Sequence, residues 1–288
     1  MCRLFGSTAA PQRVRATFWL LDAPDSLIQQ SHREPDGVGL GTFTADDAPL
    51  VEKQPIAAYA DLRFVHEARE RESRTFVAHV RFASTGGLAV RNTHPFEQRG
   101  RIFAHNGVLQ GLDELESELG EYRGLVHGDT DSERFFALIT QRIDHQHGDV
   151  TAGITDAVRW VADRLPLYAL NLILTTADEL WALRYPDTHE LYVLERAAGG
   201  PHGDRRLEHA ARTGIAASSD SLVDHPAVVI ASERMDDDPG WRPLDSGELL
   251  HVDGRLQVRS ARVLETPPRH LLSLADLDVK AASSQSAR

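Results

Sequence analysis

Cys2 is the only thiol in the chain. Initiator methionine is normally removed when the next residue is small, and its removal here leaves a cysteine with thiol and α-amine on the same carbon. An unperturbed α-amine titrates at about 7.7 to 8.0 and a thiol at about 8.5, so the amine can take the thiol proton at neutral pH without a histidine. Such a residue is a nucleophile with its own base. A single cysteine also excludes an internal disulfide and a cysteine-based zinc site. The plain alternative is a small, semi-buried strand residue with no chemical role.

Four short segments carry polar residues where an apolar strand or helix pattern ends, the places at which a scaffold usually presents working groups. They are His79 to Gly86, which holds Arg81 and Ser84; Asn92-Thr93-His94-Pro95-Phe96; Phe103-Ala104-His105-Asn106-Gly107; and Gly128 to Glu133, which holds Asp129 and Asp131. Taken singly, each has an ordinary explanation. An arginine closing a strand is commonly a solvated charge, Asn-Gly is commonly a turn, and an aspartate in a first helical turn favours the dipole.

Together with Cys2, and in this order, the four segments resemble the class II glutamine amidotransferases, whose glutaminase domain is an N-terminal nucleophile hydrolase. Residues 31–39 (Ser-His-Arg-Glu-Pro-Asp-Gly-Val-Gly) are similar to that family's His-Arg-Gly-x-Asp-x-x-Gly stretch, with Glu34 in place of its glycine. The resemblance covers roughly residues 2 to 260, and the Asn-Thr-His-Pro-Phe and Ala-His-Asn-Gly elements are most like the stand-alone bacterial subgroup.

The resemblance implies a role for each matching position. Cys2 attacks the side-chain amide carbon of glutamine and releases ammonia through a thioester, with its α-amine as base and then acid. The Asn106 side chain and the Gly107 backbone N–H supply the oxyanion hole, and glycine lets the backbone approach the substrate. Arg81 holds the glutamine α-carboxylate as a bidentate fork, Ser84 assists that contact, Asp131 takes the α-ammonium, and Arg33 braces the terminus. Asp129 competes with Asp131 for the ammonium; Thr130 as the helix cap favours Asp131. His79, His94 and His105 are expected to act as scaffold hydrogen-bonders.

Composition limits what else the chain can be. With 41% hydrophobic and 26% charged residues in a length of 288, it has the make-up of a globular protein with a sizeable core. Its 31 basic and 43 acidic side chains give a formal charge of -12, with no basic stripe, so nucleic acid is not an expected partner. No apolar run approaches the roughly 18 residues of a membrane span, and no secretory pattern opens the chain. A cytoplasmic protein without membrane contact is expected.

The elements that must position these groups follow from hydrophobic periodicity and turn residues. Helices are predicted over 14–21, near Ser26, from about Asp131 with Thr130 and Glu133 at capping-box spacing, and over 150–165. Strands are predicted at the N-terminus and over 37–43, 75–81 and 101–105, the last running into Asn106-Gly107 as a turn. Others follow at 169–175, 180–184, 191–195, 214–217, 227–232, 248–252 and 256–258. Two central helices between many strands imply an α+β layered sandwich, and the resemblance makes it the four-layer αββα N-terminal nucleophile hydrolase sandwich. One glutaminase domain is expected over 2–265, with a disordered tail over 276–288.

Two enzymatic readings remain: a free-standing hydrolase of glutamine or a γ-glutamyl amide, and a glutaminase subunit that feeds ammonia to a separate synthase. A binding protein of the same fold without turnover is the alternative from another class. A histidine metalloenzyme has only the His145-x-His147 pair to recommend it, without carboxylate ligands at a recognised spacing. Neither a metal nor another cofactor is therefore expected.

Overall fold

The parity of side chains along each strand decides how the layers stack. In the computed structural model, which describes residues 2–82, 87–198, 209–210, 216–217 and 224–286, β1 (Arg3–Thr8) sends Leu4 to one apolar cluster and Phe5 to another. β6 (Thr75–Arg81) divides in the same way, with Val77 on one side and Phe76, Ala78 and Val80 on the other. Successive strand residues face opposite sides of a sheet. These strands are therefore covered on both faces.

Between them, by sequence, come β2 (Val14–Arg15), β3 (Gly37–Phe43), β4 (Pro49–Gln54) and β5 (Glu72–Ser73). After them run β7 (Phe96–Gln98), β8 (Arg101–Leu109), β9 (Leu167–Thr175), β10 (Leu180–Arg184) and β11 (Tyr192–Arg196). The chain continues through β12 (His209–Ala210), β13 (Ala216–Ala217), β14 (Ala227–Ala231), β15 (Arg242–Pro243), β16 (Glu248–Val252) and β17 (Val258–Arg262). One sheet has the order β15-β11-β14-β1-β6-β3-β4 and the other β17-β16-β10-β9-β8-β7, while β2 pairs with β5 and β12 with β13. The two large sheets face each other through Leu4, Val77, Ile102, Ala104, Ile173 and Ile230.

Helices close both outer faces. On the first sheet lie a turn of π-helix at Phe18–Asp22, α1 (Leu27–Gln30) and α2 (Leu62–Glu70), which bury Trp19, Leu27 and Phe64 against Phe5 and Phe76. On the second lie α3 (Leu112–Leu119), α4 (Asp131–His145) and α5 (Val150–Arg164), which bury Phe135, Ile139 and Val158 against Phe103, Leu172 and Leu174. The four layers are those of the αββα sandwich expected from the resemblance.

The structure departs from the sequence reading in several places. Residues 14–21 are not one helix: Val14–Arg15 pair with Ser73 and Glu72, and only Phe18–Asp22 coil. β8 does not turn at Asn106-Gly107 but runs on to Leu109, because Asn106 and Gly107 stay paired with Asn171 and Leu170 of β9. The predicted strand over 214–217 falls largely outside the described residues. The expected tail disorder is replaced by α6 (Val279–Ser286), whose Ala281, Ser284 and Gln285 are buried. Small residues let α6 lie close on Val108, Tyr168 and Ala169, and Gln285 Oε1 meets His189 Nε2 at 2.6 Å.

Candidate active site

Parity carries three of the proposed site residues to one place. Leu4 faces the inter-sheet layer, so Cys2 two residues earlier does too; Val77 puts Arg81 there, and Ile102 and Ala104 put Asn106 there. Cys2 and Arg81 stand at adjacent ends of β1 and β6, where Arg3 pairs with Val80 and Gly37 of β3 pairs with Arg81. Asn106 comes from the opposite sheet, and its Nδ2 donates to the Cys2 carbonyl at 3.0 Å. Cys2 and Asn106 thus meet across the sandwich.

The Cys2 thiol is buried. The Phe82 N–H donates to Sγ at 3.3 Å, and Sγ lies 3.4 Å from the Phe82 carbonyl. Burial pushes the thiol pKa up, the Phe82 backbone pulls it down, Glu34 raises it and Arg81 lowers it. Burial dominates and holds the thiol above its ordinary range, and the Phe82 donor and the Arg81 cation offset part of that rise.

Arg81 is almost fully buried, donates through Nη1 to the Gly87 carbonyl at 3.2 Å, and lies in the electrostatic field of Cys2, Asp36 and Asp131. Burial lowers its pKa, and those three groups pull it back. The same Gly87 carbonyl takes a hydrogen bond from Asn92 Nδ2 at 3.2 Å, and Asn92 Oδ1 accepts from the Asp129 N–H at 2.8 Å. Asn92 therefore staples the loop after β6 to the loop before α4. Its full burial marks this positioning role, which the motif alone did not disclose.

Asp131 opens α4 with Thr130 as its cap, the Thr130 hydroxyl accepting from the Glu133 N–H at 3.3 Å. One Asp131 oxygen accepts from the Leu109 N–H and the other from the Ser132 N–H, each at 2.9 Å. The Ser132 hydroxyl also donates to the oxygen that takes the Ser132 N–H, at 3.4 Å, so the first turn of α4 and the end of β8 together fix the carboxylate. Asp129 is exposed and turned to Arg91 and Asn92.

Gly107 is required for a reason other than substrate approach. A Cβ there would sit 1.8 Å from the Ala169 carbonyl oxygen and 2.6 Å from His105 Nε2. Neighbouring strand and ring occupy the space. Arg33 is half-exposed on Asp25 and Glu233, and Glu233, which also pairs with Arg3 at 2.6 Å, links it to the start of β1. Ser84 lies outside the described residues.

The three histidines are buried and differ in what holds them. His105 Nε2 lies 3.3 Å from the Ala169 carbonyl and Nδ1 lies 3.0 Å from Ser132 Oγ, so it bridges strand and helix as expected. His94 does not: among the described residues its ring nitrogens meet no hydrogen-bond partner, and it packs on His79 and Phe96 instead. Burial, with Arg81 and His105 nearby, pushes His79 down to about 3, and burial also holds His94 well below its usual value. Such rings are poor bases at neutral pH. Among the described residues, no cluster of three or more His, Cys, Asp or Glu side chains could hold a metal ion, and no helix is long and apolar enough to cross a membrane.

Comparison with known proteins follows the same site. The family model of class II glutamine amidotransferases matches residues 1–271. The chain is 29% identical over 233 residues to an uncharacterized protein of Methanocaldococcus jannaschii, covering 78% of this chain and 63% of that one, which is less than two thirds of its length. It is 27% identical over 278 residues to the gamma-glutamyl-hercynylcysteine sulfoxide hydrolase of Mycolicibacterium smegmatis, covering 93% of this chain and 100% of that one. Among solved structures, a glutamine aminotransferase class-II domain protein from Silicibacter pomeroyi superposes with a TM-score of 0.59 at 18% identity, over 91% of this chain and 99% of that one.

Proposed function

The chain belongs to the class II glutamine amidotransferases, and on that premise we propose that it is an amidohydrolase that cleaves the side-chain amide of glutamine or of a γ-glutamyl compound through a Cys2 thioester. The observation that carries this reading is the 3.0 Å contact between Asn106 Nδ2 and the Cys2 backbone, with the Sγ held by the Phe82 N–H. It supports a reading in which the Asn106 amide and the Cys2 thiol act on one substrate carbonyl.

With Met1 removed, the Cys2 amine takes the thiol proton and the thiolate attacks the amide carbon. Asn106 Nδ2 and the Gly107 N–H receive the oxyanion as the carbonyl π electrons move to oxygen. The ammonium returns its proton to the departing nitrogen, the carbon–nitrogen bond breaks, and water then hydrolyses the thioester to a carboxylate. Arg81 grips the α-carboxylate and Asp131 the α-ammonium. The full-length match to a hydrolase named for a γ-glutamyl compound supports including γ-glutamyl amides with glutamine.

The test is ammonia or amine release from glutamine and a panel of γ-glutamyl amides, with the N-terminus read by intact mass. Cys2→Ser should keep the fold and nearly abolish turnover, since a hydroxyl is far harder to ionise than a thiol. Near-native rates in that variant, or full activity in a chain that keeps Met1, would falsify the reading.

A further inference from the structure

Asn106, the proposed oxyanion donor, is held at one end of its amide. Nδ2 donates to the Cys2 carbonyl at 3.0 Å, and among the described residues the buried Oδ1 meets no hydrogen-bond partner. The last torsion of an asparagine side chain is broad, so a single bond leaves the amide plane room to turn. Asn171 stands beside it. The two residues are directly opposite in the pairing of β8 with β9, and Asn171 shares with Ile173 the inter-sheet face that Asn106 shares with Ile102 and Ala104. Cross-strand neighbours on one face have Cβ atoms about 4.5 to 5.5 Å apart, within reach of each other's side chains.

Asn171 is completely buried, and its own amide is engaged on the side away from Asn106's partner. Nδ2 donates to the His189 and Glu190 carbonyls at 3.3 and 3.2 Å, and Oδ1 accepts from the Tyr185 N–H at 3.0 Å. These three partners lie in the loop that leaves β10 in one sheet for β11 in the other. The loop is fixed in turn: the His189 carbonyl also takes Arg184 Nε at 2.9 Å, and His189 Nε2 meets Gln285 Oε1 of α6 at 2.6 Å. Asn171, Arg184, His189 and Gln285 are each nine-tenths or more buried. A buried polar network whose members find partners rigidifies what it holds. With both donors taken and its oxygen turned to Tyr185, Asn171 draws nothing from the Asn106 amide and yields it no space. We infer that Asn171 is the positioning residue of Asn106: a fixed wall on the β9 side that keeps the amide on Cys2, with its second Nδ2 hydrogen left for the substrate oxygen. This rests on the reading of Asn106 as the oxyanion donor.

The experiment compares the parent with Asn171→Ser, which removes the wall and its ties, and Asn171→Asp, which keeps the shape but sets an acceptor against the loop carbonyls. It records kcat and KM for glutamine or the γ-glutamyl amide turned over fastest, with inhibition by glutamate and by glutamate γ-semialdehyde. The aldehyde mimics the transition state: Cys2 Sγ adds to its carbonyl carbon, the thiol proton passes to the α-amine, and the aldehyde oxygen becomes the oxyanion. Because a small misplacement of a reacting group can cost about 100-fold, both variants should lose about 10- to 100-fold in kcat and in aldehyde affinity together. KM and glutamate inhibition should stay within about twofold of the parent. A merely structural lesion reduces the share of active molecules, which lowers kcat and leaves the aldehyde inhibition constant in place. Should neither variant fold, Gln285→Ala cuts the network at its outer end and is judged by the same constant. An unchanged aldehyde constant in a folded variant of an active parent overturns the role of Asn171 alone. A parent that binds neither glutamate nor the aldehyde overturns the assigned function, and the role of Asn171 with it.

Discussion

Substituting Gly107 by alanine tests whether that glycine serves the substrate or the fold. A Cβ added there would lie 1.8 Å from the Ala169 oxygen and 2.5 Å from its carbonyl carbon, whereas ordinary contact begins at 3.4 Å. The obstacle is backbone of β9, not the flexible end of a side chain. β8 and β9 are paired from Ile102 to Leu109, so they cannot part at Gly107 without disturbing the neighbouring pairs. Overpacking usually costs about 1 to 3 kcal/mol, and a clash with paired backbone should reach the upper end, about 3 kcal/mol. At roughly 2 to 4 °C per kcal/mol, the thermal midpoint should fall by about 6 °C or more.

The assay is thermal and urea unfolding of Gly107→Ala beside Gly124→Ala, with kcat measured on both. A Cβ at Gly124 meets nothing within 4 Å, so that control should be neutral or slightly stabilising. Gly107→Ala should lose stability and turnover together, because relief of the clash drags His105 and Asn106 with β8. An unchanged midpoint refutes the packing argument, and lost turnover with intact stability returns the glycine to the substrate-approach role.

Three further outcomes are expected. Asn106→Ala should lower kcat by about 100- to 1000-fold with little change in KM, as for other oxyanion donors; steady-state kinetics showing only a KM change would remove Asn106 from that role. Arg81→Lys and Asp131→Asn should raise KM for glutamine and weaken glutamate inhibition together. Asp131→Asn should also cost about 1 to 3 kcal/mol in urea unfolding, because an amide can accept only one of the Leu109 and Ser132 N–H bonds, so undiminished stability would contradict the observed geometry. Folding stability should fall on acidification: burial sets His79 to about 3 and His189 to about 4, below the unfolded value near 6.5, so the unfolded chain gains protons first. His189 alone should account for roughly 1.5 kcal/mol between about pH 6.5 and pH 5. Urea midpoints that stay flat across that window in the parent, or keep the same slope in His189→Gln, would refute this.

What was legible in the sequence had a local cause. The start of α4 could be read because Thr130 and Glu133 make a cap within one turn, and β6 could be read because Phe76, Ala78 and Val80 alternate with Val77 and His79. Cys2, Arg81, Asn106 and Asp131 stood out because their residue types, in order, matched a family pattern. Asn106-Gly107 misled for the same local reason: the dipeptide favours a turn, and only pairing with Asn171 and Leu170, 65 and 63 residues away, keeps it extended. The α6 helix was illegible because Ala281 and Ser284 carry little hydrophobic signal, and their burial depends on Val108 and Tyr168 being opposite. Glu34 and Asn92 were seen as motif letters. Their partners, Arg3, Gly87 and Asp129, lie in other segments.

Those distant partners also bear on how the proposed chemistry is kept in register. Asn106 faces the inter-sheet layer because it shares parity with Ile102 and Ala104, and a slip of one residue in β8 would turn it to the helix layer and bring Gly107 in its place. The irregularity between Val108 and Leu109 is where such a slip could be absorbed. Asp131 binds the Leu109 N–H at that point, tying the end of β8 to the first turn of α4. The carboxylate proposed to take the substrate ammonium is therefore also a clamp on the strand that carries the oxyanion donors. Binding and transition-state stabilisation, separable at Arg81 and Asn106, are coupled at Asp131, so Asp131→Asn should lower kcat as well as raise KM where Arg81→Lys mainly raises KM.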